Sequence, residues 1–184
     1  MIKVIVTGAY STGKTTLVGD LAAAVVQDGW TCEVLADLSR RCPLPLNTDQ
    51  TDDTTLWLIG SQVAAEIEAS ARGVDVVLCD RGVPDILAHH LEVLSRRAEQ
   101  RVELLRPFLD RWMATYDLML FSRVDETIPI EADGLRSTEA TYRTLLDGFA
   151  EVIVGRLPTT LTLPFGESAR LATSRQAVMR RLAS

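Results

Sequence analysis

The 184-residue chain predicts an α/β protein: a three-layer sandwich around a five-stranded parallel sheet. Three observations carry that reading. Short β-branched runs alternate with longer stretches whose apolar residues recur at helical spacing, the pattern of βαβ units. Five such runs interleave with the helical stretches, which makes a sheet covered by helices on both faces. A glycine-rich turn joins the first run directly to the first helical stretch.

Taken in order, the strands are expected at residues 2–7, 31–36, 74–79, 117–121 and 159–163, and the helices at 14–28, 54–72, 84–116, 136–156 and 167–182. Pro107 should break the third helix, because a proline removes an amide donor and its ring clashes with the preceding turn. Two long polar loops remain, residues 47–55 ("NTDQTDDTT") and 125–134 ("DETIPIEADG"). Repeats, low-complexity tracts and composition breaks are absent, so residues 1–184 read as one domain.

Composition narrows the function classes. With 47% hydrophobic and 24% charged residues the chain can bury one substantial core. Its 19 basic and 25 acidic side chains leave a net charge of −6, which does not recruit nucleic acid or an anionic membrane through the whole-protein field. Cys32, Cys42 and Cys79 are odd in number and lack CxxC spacing, as expected of reduced thiols in the cytoplasm. No run is apolar enough to span a bilayer, and no secretory leader is read at the start. His89 and His90 are adjacent in a helix and cannot share a face, which argues against a zinc pair. The arginines at 96, 97, 101, 106 and 111 interleave with acids at 92, 99, 103 and 110, as on a solvated face.

The chemistry begins at "VIVTGAYSTGKTTL", residues 4–17. Gly8, Gly13, Lys14 and Thr15 satisfy G-x-x-x-x-G-K-[ST] between a strand and a helix, the context a phosphate-binding loop requires. Glycine lets the backbone curl so that successive N–H groups converge, and the helix dipole adds positive potential there. ATP is the expected ligand, cradled by Gly8, Ser11, Thr12, Gly13, Lys14, Thr15 and Thr16. Lys14 would meet the β and γ phosphates, and the Thr15 hydroxyl would ligate Mg²⁺, which prefers hard oxygen donors.

A second signal is "VDVVLCDRGVPD", residues 74–85. Asp80 closes an apolar strand beside the phosphate loop, where it can hold Mg²⁺, and Arg81 can neutralise charge on a transferring phosphoryl group. Pro84 and Asp85 read as ordinary helix-start chemistry. "ADLSRRC" after strand two sets Asp37, Arg40 and Arg41 at the carboxyl edge of the sheet, where open α/β folds bind ligands. Asp37 can orient or deprotonate an acceptor hydroxyl, and Arg40 can bind its phosphate. Trp57 and Gln62 follow on the next helix, suited to stacking on and reading a base, although an amphipathic helix also places tryptophan in the core.

The phosphate loop, "DLSR" at 37–40, the Trp57 and Gln62 helix, "CDRG" at 79–82 and "YDLMLFSRVDETIPIEADGLR" at 116–136 together resemble the nicotinamide riboside kinase domain of bifunctional NAD-biosynthesis regulators and its stand-alone ATPase/kinase relatives. The resemblance implies a P-loop nucleoside or nucleotide kinase fold with a lid at residues 123–137. It also implies that Arg136 of "DGLR" closes on the phosphates, with Arg123 as a second candidate.

Read together, these features point to an ATP- and Mg²⁺-dependent phosphotransferase acting on a small nucleoside- or nucleotide-like acceptor, with a polynucleotide-end kinase or a regulatory P-loop ATPase as the alternative. Lys14, Asp37, Asp80, Arg81 and Arg136 are its expected catalytic residues. A GTPase would need an N-K-x-D type loop, and Asn47 is the only asparagine in the chain.

Overall fold

A computed structural model describes residues 1–96, 104–130, 139–155 and 157–184. Five strands, β1 (Ile2–Thr7), β2 (Cys32–Leu35), β3 (Val76–Asp80), β4 (Leu118–Phe121) and β5 (Thr160–Thr162), form one sheet in the order β2-β3-β1-β4-β5. Every pairing is parallel. The helices are α1 (Lys14–Gln27), α2 (Asp52–Ser70), α3 (Val83–Arg96), α4 (Arg106–Met113), α5 (Ala140–Val154) and α6 (Glu167–Leu182).

The period-two geometry of a strand explains the three layers. Ile2, Val4 and Val6 of β1, with Val76, Leu78, Leu118 and Leu120 of its neighbours, face one way and pack on Leu17, Leu21 and Val25 of α1 and on Val178 of α6. Ile5, Val77, Cys79, Met119 and Phe121 face the other way, against Leu58 and Ile59 of α2, Leu87 of α3, Leu109 of α4 and Val154 of α5. Both faces are dry at the three central strands, so β1, β3 and β4 read as near-continuous apolar runs, whereas the edge strands β2 and β5 are only partly buried.

One charge lies on the second face. Lys3, 7% exposed, donates to Glu66 Oε2 at 2.9 Å, and Glu66 also accepts from Trp112 Nε1 at 2.9 Å, from Tyr116 Oη at 2.7 Å and from Gln62 Nε2 at 2.9 Å. A buried ion pair persists only when its remaining donors and acceptors are satisfied, and here they converge on one carboxylate.

One expected boundary moves for a local reason, and one expected break is seen. α2 starts at Asp52, inside the expected polar loop, because Thr51 caps it: the Thr54 N–H donates to the Thr51 hydroxyl and the Thr51 N–H donates back to Thr54, both at 3.3 Å. Asp52 and Asp53 then lie in the first turn, where the helix dipole favours acids. The expected 84–116 helix is two helices, α4 restarting at Arg106 with Pro107 in its first turn, where a missing N–H leaves no intrahelical bond unmade.

β1 is central, and the helices after β1 and β3 leave on opposite faces of the sheet. That reversal opens a crevice at the carboxyl ends of the two strands, where Gly8 and Arg81 emerge. Among the described residues no helix is long and apolar enough to cross a membrane.

Candidate active site

The loop from Gly8 to Gly13 is held from both sides. Gly8 has φ +135°, and a Cβ there would fall 2.1 Å from the Ser122 carbonyl oxygen at the end of β4. No other residue fits that position. On the opposite side the Gly8 N–H donates to Asp85 Oδ1 at 3.0 Å, while Asp85 Oδ2 accepts from the Gly82 N–H at 3.0 Å. Asp85 therefore ties the loop after β1 to the loop after β3. Asp85 keeps the helix-start position expected of it, in the first turn of α3 with the N–H of Gly82 on its carboxylate, and adds the buried bridge to Gly8.

Within the loop, Ser11 (φ 53°) and Gly13 (φ 72°) take left-handed conformations, and Thr12 Oγ1 donates to the Ala9 carbonyl at 3.0 Å. α1 begins at Lys14 with Gly13 as its N-cap. Its first-turn N–H groups have no intrahelical partner and make a natural anion site. A cavity of about 350 Å³ opens there, lined by Ser11, Thr12, Gly13, Lys14, Thr15 and Thr16 and reaching Asp80 and Arg170.

Lys14 curls back under the loop, its Nζ donating to the Gly8 carbonyl at 2.8 Å and to the Ala9 carbonyl. It is 5% exposed. Burial, reinforced by repulsion from Arg81 and only partly offset by Asp85, Asp80 and Asp37, lowers its pKa to about 7. A phosphate beside the ammonium would raise that pKa again, so binding should take up a proton above pH 7. Triphosphate affinity is expected to be flat in this term below pH 7 and to fall above it, approaching about tenfold per pH unit. Calorimetry at pH 6.5 and 8.5, in buffers of different ionisation enthalpy, reads both the affinity and the proton; a pH-independent affinity with no proton uptake contradicts the assignment.

Thr15 Oγ1 donates to Asp80 Oδ2 at 2.7 Å, which places a hydroxyl and a carboxylate oxygen side by side at the mouth of the loop. That pair fits a small hard cation. Among the described residues no three of His, Cys, Asp and Glu converge on one point, so such an ion would complete its shell with phosphate oxygens and water.

Asp37 and Arg81 stand between this cavity and a second one. Arg81 has φ 78°, an uncommon conformation for a residue with a side chain. Its Nε donates to Asp37 Oδ2 at 2.8 Å, and its Nη1 lies 3.6 Å from Asp85 Oδ1. Asp37 also accepts from the Ser39 N–H at 2.9 Å, capping a short turn at Leu38–Arg41. Burial raises the Asp37 pKa, but Arg81 and the Ser39 hydrogen bonds outweigh it and hold the carboxyl below its usual value. The second cavity, about 70 Å³, is bounded by the same Asp37 and Arg81 and by Tyr10, Gln62, Ile86 and His89. His89 Nδ1 lies 3.1 Å from the Tyr142 hydroxyl. Burial, with repulsion from Arg81, lowers its pKa to about 3, so the imidazole is neutral.

The structure brings most of the expected residues together. Arg40 lies on the wall of the second cavity, and Gln62 donates to Glu66 at 2.9 Å and to the Arg81 carbonyl at 3.5 Å. Trp57 does not join them: it is half-buried against the core beneath α2 and lines neither cavity, the placement its amphipathic helix also allows. Arg123 is turned to α5, its Nε donating to Asp147 at 2.8 Å and its Nη1 pairing with Glu151 at 2.8 Å. Arg136 and residues 131–137 of the expected lid lie outside the described residues.

Sequence reasoning passed over Tyr10, Ser122, His89 and Arg170. Tyr10 and Ser122 lie at open positions of stretches that were singled out, where no particular residue is demanded, while His89 and Arg170 lie in helices far along the chain and reach the crevice only through the sheet order. Asp85, weighed as a helix start, had a usable signal in its place four residues after Arg81 and in a glycine-led turn.

A family model described as an AAA domain matches residues 3–160. No curated protein matches the chain significantly. Among solved structures, the crystal structure of NadR protein in complex with NR superposes with a TM-score of 0.71 at 19% identity, covering 100% of this chain and 50% of that one. The structure of NadR protein in complex with NAD and AMP-PNP gives 0.65 at 20% identity with the same coverages. The chain thus spans half the length of these neighbours, and at such identity the likeness is one of fold. With 158 of its residues, counted from 3 to 160, matched by one model, the chain belongs to the AAA domain family.

Proposed function

We propose that the protein is an ATP- and Mg²⁺-dependent phosphotransferase whose acceptor is a small nucleoside- or nucleotide-like molecule. The observation that carries this reading is the shared wall: a phosphate-loop cavity and a small second cavity meet at Asp37 and Arg81. Group transfer between two bound molecules needs two pockets in contact at the reacting atoms, whereas hydrolysis needs only one pocket and a water.

In this arrangement the triphosphate lies along the loop, with Lys14 and the first-turn N–H groups of α1 on its β and γ phosphates. Thr15 and Asp80 would hold Mg²⁺, which when bound offsets charge on the phosphate oxygens. Asp37 receives the acceptor hydroxyl and orients it. Its lowered pKa makes it a weak base, which suits a loose transition state in which the proton leaves late. Arg81, fixed by Asp37 and Asp85, presents positive charge at the wall where negative charge develops. The second cavity is lined by Tyr10, Gln62 and His89, aromatic and amide groups suited to a compact nucleoside-like acceptor. NadR protein with NR bound shows that a protein of this fold can take such a ligand, and NR is the first acceptor to try.

The test is a panel of nucleosides, NR, nucleoside monophosphates and 5′-hydroxyl oligonucleotides with ATP and Mg²⁺, reading phosphorylated product and ADP together. One product per ADP with a small acceptor supports the reading. ADP release indifferent to every acceptor points instead to a regulatory ATPase, and product only with oligonucleotides points to an end kinase.

A further inference from the structure

The phosphate-loop cavity contains a cation that the chemistry above leaves unused. Arg170, in the first turn of α6, is 9% exposed. Its Nη1 donates to the Thr12 carbonyl at 2.5 Å and its Nη2 to Ser122 Oγ at 2.6 Å. Both partners are neutral. Arg81 has Asp37 and Asp85, Arg123 has Asp147 and Glu151, and Arg175 has Asp28. Among the described residues Arg170 has no carboxylate at ion-pair distance. Burial lowers the guanidinium pKa, and the field of Glu167 offsets that only in part.

A buried cation without a counter-charge is unfavourable unless an anion arrives to meet it. The position of Arg170 says where that anion would lie. It lines the same cavity as Lys14 and Thr15, and a Cβ on Gly13 would sit 3.1 Å from its Nη1, so the guanidinium rests directly against the residue that opens α1. Its grip on the Thr12 carbonyl also fixes the planar Thr12–Gly13 peptide, which aims the Gly13 N–H away from Arg170.

We propose that Arg170 is a standing counter-charge for the phosphates of the bound nucleotide and, through Thr12, the group that sets the loop's curvature before the nucleotide arrives. This rests on reading the cavity as a nucleotide site. The planar fork of arginine suits phosphate oxygens. Serving diphosphate and triphosphate alike, it differs from Lys14, whose contribution is greatest for the triphosphate.

Calorimetry and thermal melting with ATP, ADP and adenosine test this on Arg170→Met, Arg170→Lys and Lys14→Ala. Arg170→Met should weaken ATP and ADP by similar factors, about 10- to 100-fold, and leave adenosine unchanged. Its melting temperature without nucleotide should not fall, because an uncompensated buried charge is removed and Ser122 Oγ still donates to the Thr12 carbonyl at 3.1 Å. Arg170→Lys, retaining charge without the fork, should recover part of the loss. Unchanged ATP and ADP affinity in Arg170→Met, while Lys14→Ala loses ATP, overturns the inference and leaves the nucleotide reading standing. Unchanged ATP affinity in Lys14→Ala removes the nucleotide reading itself. Equal loss of adenosine binding in Arg170→Met, with a lowered melting temperature, would reduce Arg170 to a structural strut and also overturn the inference.

Discussion

Lys14→Ala is expected to lower phosphoryl transfer by about 10³-fold or more, with triphosphate binding weakened far more than diphosphate or adenosine binding. The ammonium is the one lysine of the loop and is already seated beneath it, bonded to the Gly8 and Ala9 carbonyls. A γ-phosphate would draw it out of those bonds, and the gain grows with the charge it meets. Misfolding has a distinct signature. Lowering the Lys14 pKa to about 7 means that the unfolded chain binds more protons between about pH 7 and pH 10.5. In that window wild-type stability rises with pH through this group; below pH 7 the penalty of burying the charged form is fully present. Removing the lysine removes the penalty, so the variant should melt no lower than wild type at pH 7, and its advantage should shrink as pH rises toward 10.5. A variant that melts well below wild type at pH 7, or that loses ATP, ADP and adenosine binding equally, contradicts the assignment.

Much of the fold was legible because its causes are local. Strands buried on both faces are mostly apolar, so 2–7 and 74–79 stand out without knowledge of what covers them, and the loop between β1 and α1 has a glycine where the Ser122 carbonyl leaves no room for a Cβ. Lys14 and Thr15 were readable for the same reason, since the motif that holds them is local, whereas Asp80, 65 residues from Thr15, was readable as the polar end of an apolar strand and meets Thr15 because β3 pairs with β1. Arg170 was not. It lies 158 residues from Thr12 and meets it only because α6 packs beside α1 under the sheet, which no spacing rule encodes. Trp57 shows the opposite case, a local pattern that fits two places. An aromatic on an amphipathic helix fits a core and a base-binding wall equally well in sequence, and in α2 it is Gln62 that lines the cavity while Trp57 packs against the core.

Asp37 is where donor and acceptor chemistry can be separated. Asp37→Asn keeps the side-chain shape but loses the charge that faces Arg81 Nε at 2.8 Å. Transfer to the acceptor should fall by about 10²-fold or more, since an oriented hydroxyl is lost along with its proton acceptor. ATP affinity should stay near wild type, because none of the phosphate-loop bonds runs through Asp37 and Arg81 is still held near Asp85. The decisive comparison is the slow ADP release that ATP shows without acceptor. Water does not use the acceptor's anchor, so Asp37→Asn should spare that background, whereas Arg81→Lys should depress transfer and background together, the guanidinium serving whichever oxygen attacks. Both rates, measured for both variants at saturating ATP, form the test. If Asp37→Asn lost the background as severely as the transfer, the aspartate would be acting through Arg81 on the donor side, and the shared wall would be part of the ATP site instead of the boundary between two substrates.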